Sequence, residues 1–144
     1  MRYTPEHWDV WRAAANDVDS ALVVVAALTF VPDVVSEGER LWARMAPALR
    51  LERELKGRLA LLPPLVDYSG TPAAWSAGAI RAVLGAFRHV FLLPVTPETA
   101  ASAFDAGSKG ESESLSGRLI VLPYDAPYET LYATVIRAWS RANG

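Results

Sequence analysis

Three segments of the chain share one plan: an arginine, a short and largely apolar run, and a closing proline. They are Arg58-Leu59-Ala60-Leu61-Leu62-Pro63, Arg88-His89-Val90-Phe91-Leu92-Leu93-Pro94 and Arg118-Leu119-Ile120-Val121-Leu122-Pro123. The arginines recur every 30 residues. A fourth run, Ala21–Leu28, precedes them and is the longest strictly apolar stretch, at eight residues. None of the four alternates polar with apolar, which suits strands covered on both faces. A spacing of about 30 residues matches a strand–helix–strand unit. The units are unequal and share no helix signature, which argues against a solenoid.

Helices are expected between these runs, near 5–17, 36–56, 72–87, 97–106 and 127–141. Thr-Pro marks three starts, at Thr4-Pro5, Thr71-Pro72 and Thr96-Pro97. Threonine can cap the first turn, and proline fits the first helical position without losing a needed amide. The last helix has the clearest stripe: Tyr128, Leu131, Tyr132, Val135, Ile136 and Trp139. Ala73, Ala77, Ile80, Leu84 and Phe87 form a similar one. Pro47 predicts a kink or break in the 36–56 helix. Beyond it, Arg50–Glu54 and Glu52–Lys56 are spaced as ion pairs on a solvated face.

Strands alternating with helices imply an α/β fold: a small doubly wound, flavodoxin-like or Rossmann-like parallel sheet of four strands. The expected strand order is 2-1-3-4, with 3-2-1-4 the close competitor. The 144 residues make one domain, and no metal or disulfide staple is needed at that size. Hydrophobic residues at 51% against 21% charged argue for a folded chain. A net charge of −2 argues against a nucleic-acid binder held by phosphate contacts. The absence of cysteine excludes disulfides, thiolate chemistry and zinc–thiolate sites. No run reaches the roughly 20 apolar residues of a membrane span, and the first residues lack a signal-peptide pattern. A cytoplasmic location is the expectation. Ser108–Ser116, rich in Gly, Ser and Glu, reads as a loop.

Ligands of open parallel sheets bind beyond the carboxyl ends of the strands. Here those ends carry one acid each: Asp33, Asp67, Glu98 and Asp125. Thr29, Asp33, Thr96, Glu98, Tyr124 and Asp125 are the candidate ligand-binding rim. The competing reading is that these acids sit at helix starts, where free amides favour negative charge. The loops are proline-rich and hold no phosphate-binding glycine motif. No metal ligand set, cofactor or catalytic residue is assigned. His7 and His89 are not placed to serve a nucleophile, and Ser76 lies inside a predicted helix. Arg58, Arg88 and Arg118 would line the amino edge, either as an anion patch or as partners of carbonyls and acids. Five tryptophans are many for this length, and four lie on helices at positions suited to a core. Trp8 and Trp11 share one helix face and are the candidate interface.

The stretch Glu52-Arg53-Glu54-Leu55-Lys56-Gly57-Arg58-Leu59-Ala60-Leu61-Leu62-Pro63-Pro64 is similar to a distinctive segment of the YpiF-like bacterial family of unknown function. The aromatic first helix with Val18-Asp19-Ser20, the run at 89–91 and the run at 117–120 resemble it too. The resemblance implies a fold but no activity. The family's gene neighbourhood, beside a menaquinol–cytochrome c reductase, implies an accessory role in respiratory-complex biogenesis. The combined expectation is a non-catalytic interaction or accessory module with an unknown protein partner or a second copy. The alternative is a small-molecule- or cation-binding enzyme using the acidic rim.

Overall fold

The computed structural model describes residues 2–14, 16–28, 33–68, 77–96, 99 and 118–143. Pro5–His7 form a 3₁₀ turn that leads into α1 (Trp8–Ala14). Then come β1 (Ser20–Ala27), α2 (Val34–Glu54), β2 (Leu59–Leu61) and β3 (Leu65–Asp67). The chain continues through α3 (Ala77–Ala86), β4 (His89–Pro94), β5 (Leu119–Val121) and α4 (Tyr128–Asn143). Among the described residues every strand pairing is parallel, and the order is β2-β1-β4-β5. This is the doubly wound α/β sheet the apolar runs imply, with the first of the two expected orders.

The sheet differs from the four-strand expectation at one edge. Residues 65–67 form a fifth short strand, β3, on the same side of β1 as β2. Leu22 lies opposite Leu61, while Val25 lies opposite Leu65. Two residues of β1 therefore face three on the outer strand, Leu62, Pro63 and Pro64. This is a bulge, and it accommodates prolines that cannot donate to a ladder.

Continuous apolar runs are required because both faces of the sheet are covered. On one face Leu22, Val24, Phe91 and Leu93 pack beneath Ala48 and Leu51 of α2 and Leu131, Val135 and Trp139 of α4. On the other, Val23, Val25, Val90 and Leu92 pack against Ile80 and Leu84 of α3. Val18 and Ala60 carry Trp11 of α1 and Phe87 on this second side.

Helix α2 runs through Pro47 without a break. Ala48 and Leu51, both fully buried, hold the following turn against the sheet and offset the missing backbone bond. Arg50 pairs with Glu54 at 3.2 Å as spaced. Glu52, by contrast, is buried and lies 3.6 Å from Arg2, so this side of the helix is covered rather than solvated. Glu54 also accepts from the Tyr128 hydroxyl, and Arg50 stacks 3.8 Å over the Tyr128 ring, tying α2 to α4. Burial and the Glu54 carboxylate push the Tyr128 hydroxyl well above its usual range. The hydroxyl in turn holds Glu54 below its own.

The expected helix start at Thr71, the stripe residue Ala73 and the Ser108–Ser116 loop lie outside the described residues. So does the 97–106 helix, apart from Thr99.

Candidate functional site

Parallel sheets usually bind ligands at their carboxyl edge. Asp33, at that edge, is the N-cap of α2: one carboxylate oxygen accepts from the Ser36 amide at 2.8 Å, the other from the Ser36 hydroxyl at 3.0 Å. The amide bond chiefly, then the hydroxyl, hold this carboxyl below its ordinary range. Thr96 has a similar local duty. Its hydroxyl oxygen accepts from the Thr99 amide at 3.2 Å and lies 2.8 Å from the Thr99 hydroxyl. Asp125 lies 3.7 Å from Arg44, which is about three turns along α2 from Asp33. Tyr124 is half-buried. Thr29 and Glu98 lie outside the described residues.

Asp33, Thr96 and Asp125 are thus engaged in local structure, and the structure does not draw Asp33 and Asp125 to one point. Among the described residues, no group of three or more histidine and acidic side chains is placed to hold a metal ion. Sequence reading missed Glu37, buried in the first turn of α2 and paired with Arg40 at 3.3 Å. Its signal was available, since it is the first-turn acid on the face that turns toward the sheet.

At the opposite edge Arg58 and Arg118 follow the second of the two readings, as partners of acids and carbonyls. Arg58 donates to both oxygens of Asp19, at 3.0 and 3.2 Å. Arg118 donates to the carbonyls of Leu84, Phe87 and Arg88 at 2.6, 3.0 and 3.0 Å, closing the end of α3. Ser20, fully buried, donates to Asp19 at 2.9 Å and accepts from the Trp139 indole at 2.8 Å. Arg58 lies 4.2 Å over the Trp139 ring. Burial pushes the Asp19 carboxyl up, but the Arg58 and Ser20 bonds outweigh it and leave the group below its usual range. His89 is buried beside Ser20 in register, and burial lowers its pKa.

The third surface is built by the N-terminal segment. Arg2 bridges to Leu61 at the outer edge of β2, and the Tyr3 amide donates to the Leu61 carbonyl at 3.1 Å. The Arg2 amide donates to His7 Nδ1 at 3.0 Å, and its carbonyl accepts from the Trp11 indole at 2.7 Å. These bonds fold residues 2–11 into a tight unit, although the Thr4 side chain makes no cap. The turn brings Tyr3 edge-on to Trp8 at 4.9 Å and to Trp11 at 5.7 Å, and Trp11 in turn meets Phe87 at 6.3 Å. Tyr3, Trp8, Trp11 and Arg12 line an open groove of about 300 Å³. Tyr3 is 53% exposed, and neighbouring Val10 is 43% exposed.

The two interface candidates therefore meet in one groove with different duties. Trp11 is also an anchor, packed on Val18 and Ala60, whereas Trp8 belongs to no buried cluster among the described residues. The other tryptophans divide as well: Trp139 is core, but Trp42 is 63% exposed on α2 and is not a core residue. Trp75 lies outside the described residues. No helix among the described residues is long and apolar enough to cross a membrane. No protein-family model, curated protein or solved structure matches this chain.

Proposed function

We propose that this chain is a non-catalytic interaction or accessory module that engages a protein partner through the Tyr3–Trp8–Trp11 groove. The observation that carries this reading is the exposure of Tyr3 beside two half-buried indoles, with which it lines an open groove. Aromatic side chains with one wet face are typical of interface cores, because they bury much area for little lost freedom. The groove stands on a segment bonded to the sheet edge, so it is held ready rather than ordered on contact. The YpiF-like resemblance adds a class of partner to test, the components of respiratory-complex biogenesis.

Affinity capture from the native cell, followed by mass spectrometry, tests this reading when run with two variants side by side. Trp8→Ala removes one wall of the groove, and Trp42→Ala removes an equally bulky exposed indole elsewhere. The reading expects a specific protein to be lost from the Trp8→Ala capture and kept with Trp42→Ala. Equal recovery with both variants would count against the groove. A second copy of the chain as the captured protein would make the contact a self-association, which sedimentation would show as a doubled mass.

A further inference from the structure

The amino edge of the sheet buries a histidine, and burial there disfavours its charged form. His89 is the first residue of β4 and is 3% exposed. Its Nδ1 has no hydrogen-bond partner among the described residues. It lies opposite Ser20 in the ladder, and Ser20 accepts the Trp139 indole bond that pins the last turns of α4 to β1. The charges that act on His89 come from the residues leading into each strand: Asp19 before β1, Arg58 before β2, Arg88 before β4 and Arg118 before β5. From α4, Trp139 connects to this site through Ser20 and through Arg58, which lies over its ring.

Three cations thus surround the imidazole against a single anion. That anion is already committed, because Asp19 accepts two bonds from Arg58 and one from Ser20. A proton on His89 would add a fourth positive charge at a buried position whose Nδ1 has no acceptor among the described residues. Trp139 packs over the same face of the sheet: its indole donates to Ser20, opposite His89 in the ladder, and its ring meets Phe91, two residues along β4 from His89, at 6.5 Å.

We propose that His89 is the pin of an acid-released latch: its protonation frees the C-terminal turns of α4 from the amino edge of the sheet. The bonds given up are Trp139 to Ser20 and the stacking of Arg58 on the Trp139 ring. The rest of α4 stays docked through Leu131 and Val135, which are fully buried further along the helix.

The full chain labelled with ¹⁵N and ¹³C tests this by NMR between pH 7.5 and 5. The Trp139 indole signal is assigned by its loss in Trp139→Phe, and the ring of His89 is followed in the same samples. Protection of the Trp139 indole from exchange, corrected for the intrinsic effect of pH, is expected to fall severalfold over this range. Its midpoint should coincide with the titration of His89, and His89→Gln should hold the protection constant over the range. His89 titrating without change at Trp139, or the same loosening in His89→Gln, would overturn the latch. If His89→Gln does not fold, coincidence or separation of the two midpoints in the unsubstituted chain decides the matter.

Discussion

Arg118 precedes β5, yet the three carbonyls that accept from it belong to the end of α3 and the turn that follows. Helix ends leave carbonyls unpaired, and a cation there also meets the negative end of the helix dipole. Arg118→Ala is expected to cost about 1–3 kcal/mol, from charged hydrogen bonds lost at a partly buried helix end, read as a lower urea midpoint with an unchanged slope. Arg118→Lys should recover only a fraction of it, because an ammonium cannot reach three carbonyls in a plane. The arginine spacing was legible in the sequence, but the partners were not. Asp19 and Arg58 are 39 residues apart, and only the parallel ladder brings them together. The pH dependence of stability follows from the same residues. His89 has a lowered pKa in the folded state, so the unfolded chain takes up its proton first. Stability should begin to fall as pH drops below about 6.5, the unfolded value for histidine. Asp19, Asp33 and Glu54 have lowered values, so their contribution is present above about 4 and is lost as pH falls further. Urea midpoints at neutral, mildly acid and strongly acid pH should therefore step down twice, and His89→Gln should remove only the first step. At the carboxyl edge, Asp33 serves Ser36 and Asp125 lies by Arg44. Millimolar Mg²⁺, Ca²⁺ or Mn²⁺ should then give none of the several-degree rise in melting temperature that a saturated site produces.

Helix α2 is the element in which local preference and packing disagree most. Pro47 sits inside 21 continuous helical residues, and the helix persists because Ala48 and Leu51 are buried beneath it. Proline in a helix interior costs about 3 kcal/mol relative to alanine, and its stiffening of the unfolded chain returns about 1 kcal/mol. Pro47→Ala should therefore stabilise the fold by about 2 kcal/mol, seen as a higher urea midpoint and melting temperature. No change, or a loss, would show that the ring fills a gap in the packing. The four main strands and the last helix were legible because apolar runs and a 3.6-residue stripe report burial directly. Strand β3 was not. Pro63-Pro64 signals the end of a strand, and nothing local says that Leu65 resumes pairing with β1 one residue out of step. The break expected in α2 is absent for the matching reason: the sequence carries the cost of Pro47 but not the tertiary contacts that offset it.

For the whole molecule, the question is what the N-terminal segment does for the sheet and what it offers outward. Arg2 and Tyr3 pair with Leu61 at the outer edge of β2, the edge that would otherwise be open to another chain. Trp11 seals Phe87 and Val18 behind it. The strand order was narrowed but not decided by the sequence: strand–helix–strand units left 2-1-3-4 and 3-2-1-4 as near equals, and the pairing of β1 with β4 separates them. The groove was only half accessible. Trp8 and Trp11 share a face by spacing, but Tyr3 joins them only because the turn at Pro5–His7 folds it back. The carboxyl rim, favoured by the fold alone, holds caps and ion pairs where it can be followed. The central claim is that the groove is where this molecule is touched. Its most direct measurement places a photo-crosslinking side chain at Arg12, which lines the groove, and in parallel at Arg53 on α2. Irradiation in the native cell should give one discrete adduct from position 12, lost when Trp8→Ala is added, and none from position 53. Adducts of equal yield from both positions, or an adduct from position 12 that survives Trp8→Ala, would contradict the claim.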